Sequence, residues 1–112
     1  MLFVCAGNTC RSPMAQAIAA RIAKELGLTG WSFASAGRSA LEGEGAARHA
    51  VELFPELELH RAQQLTPELR QWADVTVDLP RLGVPDPYAG DEQEYRDAAA
   101  GIEQVVRTRL RP

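Results

Sequence analysis

The sequence predicts an α/β fold in three layers, with a small central parallel sheet of three to four strands flanked by helices. Two observations predict it. Met1-Leu2-Phe3-Val4 is a short continuous apolar run, as expected for a strand covered on both faces, and it leads directly into a Gly-containing loop and a helix. Further along, strand-like stretches alternate with helically spaced apolar positions, the order that builds parallel strands joined by crossover helices. Open sheets of this kind place their ligands at the carboxyl ends of strands, and the loop over residues 5–10 follows the first strand there.

Each element has its own signal. Met14/Ala15, Ile18, Ile22 and Leu26 recur at helical spacing, so residues 12–26 are expected to form an amphipathic helix ending at Gly27. Ser12 is positioned to cap it, and Pro13 then stands at the first helical position, where a missing N–H costs nothing. Residues 31–36 read as a second strand closed by Gly37. After the Gly43-Glu44-Gly45 loop, Ala46, Ala47, Ala50, Val51 and Leu53/Phe54 read as a short helix. Thr66-Pro67-Glu68 is a helix start, with Thr66 as cap and Pro67 first in the turn. Residues 74–78 contain Val75-Thr76-Val77, a third strand. The last helix begins near Asp91, where Glu94 completes a capping box, and runs through Tyr95, Ala98, Ile102, Val105/Val106 and Leu110. No internal repeat, low-complexity tract or linker interrupts this order, so residues 1–112 are expected to form one domain.

Composition narrows the partners. A chain of 112 residues with 46% hydrophobic content can build a single core. The net charge of −3 and the absence of a basic stripe argue against nucleic acid, whose phosphates need neutralising. Apolar stretches are far shorter than a membrane span and no export signal leads the chain, so no membrane partner and a cytoplasmic location are expected. Both cysteines, Cys5 and Cys10, lie in one loop and staple no distant elements.

That loop carries the chemistry. Cys5-Ala6-Gly7-Asn8-Thr9-Cys10-Arg11-Ser12-Pro13 sets a Cys and an Arg five residues apart at a helix N-terminus. The N–H groups of residues 6–11 can converge on one tetrahedral anion, which the helix dipole also favours. Arg11 can grip two phosphate oxygens through its planar fork. Cys5 then lies under the phosphorus as a thiolate, favoured by the same positive field. Gly7 permits the tight backbone and Asn8 braces the loop. A bare Cys-Arg pair at this spacing is weak evidence; set between a strand and a helix, it has the context the chemistry requires.

With Val4 before it and Met14-Ala15 after it, this stretch resembles the signature of the low-molecular-weight protein tyrosine phosphatase family. Ser35-Ala36-Gly37, His60-Arg61-Ala62-Gln63-Gln64-Leu65 and Asp86-Pro87-Tyr88 agree with it in order, along nearly the whole chain. The resemblance implies removal of phosphate from a phosphorylated protein through a phosphocysteine at Cys5, with inorganic phosphate as product and no cofactor or metal. It makes Asp86 the general acid and then base, and lets Ser12 hydrogen-bond the departing thiolate. Asp91 is a second acid candidate with a competing role as helix cap. Asn8, Ser35 and His60 are implied to form a buried network behind the loop, although His60 also reads as a surface histidine beside Arg61. Tyr88 either stacks beside the substrate or packs as a half-buried aromatic. Cys10 either traps oxidised Cys5 as a reversible disulfide or simply packs behind the loop.

The sequence departs from the family between Val77 and Asp86, where roughly one βα unit of about 30 residues is missing. The sheet then has three strands, or residues 75–82 serve as a merged strand. Thr9 is the most informative variable position. Tyrosine-specific relatives often carry a bulky aliphatic there, and the protein-arginine phosphatase branch carries Thr. A small hydroxyl leaves room and a polar contact for phosphoguanidinium, although Thr also bonds its own loop backbone. An arsenate reductase would need further cysteines outside the loop to pass a disulfide along, and this chain has none. A non-catalytic phosphoprotein-binding module would keep Arg11 and lose the nucleophile or acid, whereas this chain has both.

Overall fold

The structure is a computed structural model and describes residues 1–111. Three parallel strands, β1 (Leu2–Cys5), β2 (Ala34–Gly37) and β3 (Thr76–Asp78), form one sheet in the order β2-β1-β3. Phe3 stands level with Ser35 on one side and Val77 on the other, so β1 is central and its carboxyl end at Cys5 is the middle of the sheet's edge. The apolar run at the start of the chain is central because it is the stretch able to be buried on both faces.

Helices α1 (Arg11–Glu25), α2 (Arg48–Leu53) and α4 (Glu92–Arg109) share the larger core with Phe3 and Val77, through Met14, Ile18, Ala50, Tyr95, Ile102 and Val106. Helix α3 (Pro67–Trp72) covers the opposite face, where Leu65, Leu69 and Ala73 pack on Leu2, Val4 and Ala36. The three-layer expectation holds with three strands. Residues 75–82 do not form a merged strand, because Pro80–Leu82 turns as a 3-10 segment closed by Gly83 at φ 79°. A second 3-10 segment, Pro55–Leu59, follows α2 and carried no periodic signal.

Two starts differ from expectation. Residues 31–33 lie outside β2: Trp31 and Phe33 stack at 6.2 Å, and the Ser32 carbonyl accepts from the Met1 ammonium. Ser12 does not cap α1; the helix begins at Arg11 behind Cys10, with no side-chain cap. Its hydroxyl is held instead by groups behind the loop, so the first turn's N–H groups are left for another acceptor. Thr66 caps α3 as expected, accepting from Leu69 N at 3.2 Å, and Asp91 caps α4, accepting from Glu94 N at 2.9 Å.

Candidate active site

The loop from β1 to α1 is held from behind through Asn8, which is wholly buried and sits at φ 58°. That left-handed backbone costs an L residue roughly 1 kcal/mol, and here three hydrogen bonds hold it. Asn8 Nδ2 donates to Ser12 Oγ at 2.8 Å, Oδ1 accepts from Gln63 N at 2.9 Å, and the carbonyl accepts from His60 Nε2–H at 2.7 Å. A ring nitrogen that donates to a carbonyl is satisfied in the neutral imidazole. Burial pushes the His60 pKa below 6.5, against the opposing effect of that same hydrogen bond. Ser35 lies behind the loop on β2, but it joins this network through its carbonyl, which accepts from Gln63 Nε2 at 2.9 Å. The bracing hydroxyl is that of Ser12. Gln63, for which the sequence suggests no role, ties both sides together.

The loop's carbonyls are also occupied. Cys5 O accepts from Arg38 N, Ala6 O from Ser39 N and Thr9 O from Ala47 N, at 2.9–3.0 Å. Among the described residues no acceptor takes the N–H of Ala6, Gly7, Asn8, Thr9 or Cys10. Five donors left without partners beside a buried cysteine form a nest suited to an anion. Gly37 makes this approach possible: a Cβ there would lie 2.5 Å from Ala6 O and 2.9 Å from Asn8 N.

Cys5 Sγ lies 2.9 Å from Ser12 Oγ, which already accepts from Asn8. The Ser12 proton is thereby free to face the sulfur, with the Ala36 carbonyl at 3.5 Å as the weaker alternative. Cys10 is turned elsewhere, with its Sγ 3.3 Å from Tyr95 Oη and 3.7 Å from Thr9 Oγ1. Burial pushes the Cys10 thiol up, and burial together with Cys10 pushes the Tyr95 phenol up as well, so both stay protonated. Both cysteines are free thiols.

Arg11 is buried at 7% exposure although it is charged. Its Nη1 donates to Val84 O at 3.0 Å, and Nη2 lies 3.5 Å from Asp86 Oδ2. These contacts bring residues 84–86 to the loop despite the short path from β3. The other Asp86 oxygen accepts from Tyr88 N at 3.0 Å, so the turn role and a place at the site coexist. Asp91 is occupied as the α4 cap.

A cavity of about 320 Å³ opens over the loop. Cys5, Ala6, Gly7, Thr9, Cys10 and Arg11 line it, together with Asp86 and Tyr88. Ser39, Leu41 and Glu44, which no sequence pattern singles out, line it as well. Tyr88 and Leu41 are each 73% exposed, so Tyr88 is at the mouth and not half-buried. A larger cleft of about 500 Å³ between α1 and α4 has apolar walls and paired charges but no nucleophile.

The family model for low molecular weight phosphotyrosine protein phosphatase matches residues 1–81, the part of the chain that holds the loop and its supports. The chain belongs to this family. It is 36% identical to the probable low molecular weight protein-tyrosine-phosphatase EpsP of Ralstonia solanacearum, over 95% of this chain and 90% of that protein. It is 43% identical to the protein-arginine-phosphatase of Geobacillus stearothermophilus, again over 95% and 90%. The solved low molecular weight protein tyrosine phosphatase from T. tengcongensis superposes with a TM-score of 0.86 at 30% identity, covering 97% of each chain. This phosphatase thus stands among relatives with two substrate names. Among its described residues no helix is long and apolar enough to cross a membrane.

Proposed function

We propose that residues 1–112 act as one phosphatase domain that removes phosphoryl groups from protein side chains through a phosphocysteine at Cys5. The observation that carries this reading is the set of unpartnered amides around Cys5, with Arg11 and Asp86 lining the same cavity. The thiolate attacks phosphorus as the bond to the leaving group breaks. Arg11 and the loop N–H groups bind the three equatorial oxygens, where charge spreads in the transition state. Asp86, about half exposed at the mouth, gives its proton to the leaving group. Water then attacks the phosphocysteine, Asp86 takes back a proton, and inorganic phosphate leaves. The Ser12 hydroxyl donates to the sulfur as it departs as thiolate.

Phosphotyrosine and phosphoarginine are the two side chains in question. Thr9 favours phosphoarginine: it lines the cavity with a small hydroxyl side chain, leaving room for a planar phosphoguanidinium. Cys10 is the proposed trap for oxidised Cys5, and it must break its contact with Tyr95 to act.

The test is turnover of p-nitrophenyl phosphate and of matched phosphotyrosine and phosphoarginine peptides by the wild type and Cys5→Ser. Turnover by the wild type, with a phosphorylated cysteine after rapid acid quench and neither signal in the Ser variant, is the expected result. A Ser variant that turns over at a comparable rate removes Cys5 as nucleophile.

A further inference from the structure

We infer that Glu44 is a specificity-determining residue that favours a phosphoryl group carried on a cationic guanidinium over one carried on a phenol. The inference rests on the phosphatase reading of the Cys5 cavity and names a further residue for it.

Glu44 lines the same cavity as Cys5, Arg11, Asp86 and Tyr88. The segment that carries it is tied to the loop by hydrogen bonds. Its two ends bond the phosphate loop through Ser39 N to Ala6 O and Ala47 N to Thr9 O, each at 2.9 Å. Between them Glu44 N donates to Leu41 O at 3.2 Å, and Glu44 O accepts from Ala62 N at 2.8 Å. Gly43, at φ 89°, supplies the turn that an L side chain would strain. The Glu44 backbone is thereby tied to the loop whose N–H groups would hold the phosphate.

Its charge is unbalanced. Among the described residues the Glu44 carboxylate has no ion pair and no hydrogen bond, whereas Asp86 faces Arg11, Glu52 faces Arg48 and Glu56 faces Arg21. Arg61, whose guanidinium approaches Gly45, is engaged by the carbonyls of Glu58 and His60. An unbalanced carboxylate beside an anion nest works against a doubly charged aryl phosphate. It works in favour of a phosphoguanidinium, whose N–H donors and positive charge lie just outside the phosphoryl group. Leu41 offers apolar contact to an arginine stem or to a ring alike, so it does not discriminate.

The experiment measures kcat/KM for phosphoarginine and phosphotyrosine peptides of otherwise identical sequence, with the wild type, Glu44→Gln and Glu44→Lys. Glu44→Gln is expected to lower the phosphoarginine value by about tenfold, mainly through KM, and to raise the phosphotyrosine value severalfold. Glu44→Lys should push the ratio further the same way, and added salt should shrink the difference. A ratio of the two substrates that stays within about twofold in both variants overturns the inference. So does a wild type that hydrolyses the phosphotyrosine peptide and leaves the phosphoarginine peptide untouched, a result under which the phosphatase reading stands. A wild type inert on both peptides and on p-nitrophenyl phosphate overturns the phosphatase reading and this inference with it.

Discussion

Replacing Gly37 by alanine adds one methyl group outside the cavity, and the structure makes it costly to the site. The new Cβ would stand 2.5 Å from Ala6 O, 2.9 Å from Asn8 N and 3.0 Å from Gly7 C. All three are backbone atoms of the phosphate loop. An ordinary carbon–oxygen approach is about 3.3 Å, so something must move by roughly 0.5–1 Å. Gly37 cannot easily retreat, because its N–H donates to Gln63 O at 2.9 Å and its carbonyl accepts from Leu65 N at 2.8 Å. The displacement therefore falls on the loop. Overpacking of this kind costs about 1–3 kcal/mol, a lowering of Tm by roughly 5–15 °C. A shift near 1 Å in groups that position the reaction costs about 10²-fold in rate. The assays are thermal denaturation, kcat/KM on p-nitrophenyl phosphate and the inhibition constant of inorganic phosphate. Phosphate affinity and kcat/KM should fall together, since the same N–H groups serve both. Gly7→Ala is the contrast for stability: its Cβ would meet only Thr9 Oγ1, at 3.7 Å, so Tm should barely change although Gly7 lies in the loop itself. A Gly37→Ala protein with wild-type phosphate affinity and turnover would refute the reasoning, whatever its Tm.

Other expectations follow from the site. Asp86→Asn should slow hydrolysis by ~10²–10⁴-fold on substrates with poor leaving groups and far less on an activated aryl phosphate; equal slowing of both would assign the acid elsewhere. Arg11→Lys loses the fork that holds Val84 O and Asp86 and is proposed to grip phosphate, so kcat/KM should drop at least about tenfold; a smaller loss counts against that role. Burial lowers the His60 pKa in the folded protein, so below 6.5 the unfolded chain binds a proton that the fold resists. Stability should therefore be complete above that value and decline as pH falls toward the folded pKa. Urea midpoints at about pH 7.5 and about pH 5.5 should separate more in the wild type than in His60→Gln, and equal separations would show that His60 is not the group.

The local parts of this protein were legible in the sequence because they rest on short-range chemistry. The strand–loop–helix unit around Cys5 and Arg11, the Thr66 cap and the Asp91 cap each depend on groups within a few residues of one another. Gly27, at φ 68°, stands just past the end of α1, where the helical spacing stops. The α1 start differs from expectation because Ser12 followed by Pro has the local pattern of a cap. Only the folded loop shows that Asn8 and Cys5, three-dimensional neighbours of Ser12, claim its hydroxyl.

The rest was settled by contacts between residues far apart in the chain, which no local pattern encodes. Leu41 and Glu44 meet the cavity because the stretch after β2 is bonded to the loop at both ends. Gln63 reaches Asn8 across 55 positions, and Arg11 reaches Val84 across 73. That last contact decides what the missing βα unit left open. β1 is central in the three-stranded sheet, and a buried guanidinium must find acceptors, which the Val84 carbonyl and Asp86 supply to Arg11 over the short path from β3. Sequence alone singled out the groups proposed for phosphate chemistry, because that proposal rests on residue type and short spacing. The tertiary structure decided which of them meet, because burial and long-range hydrogen bonds are satisfied only when the whole chain is packed.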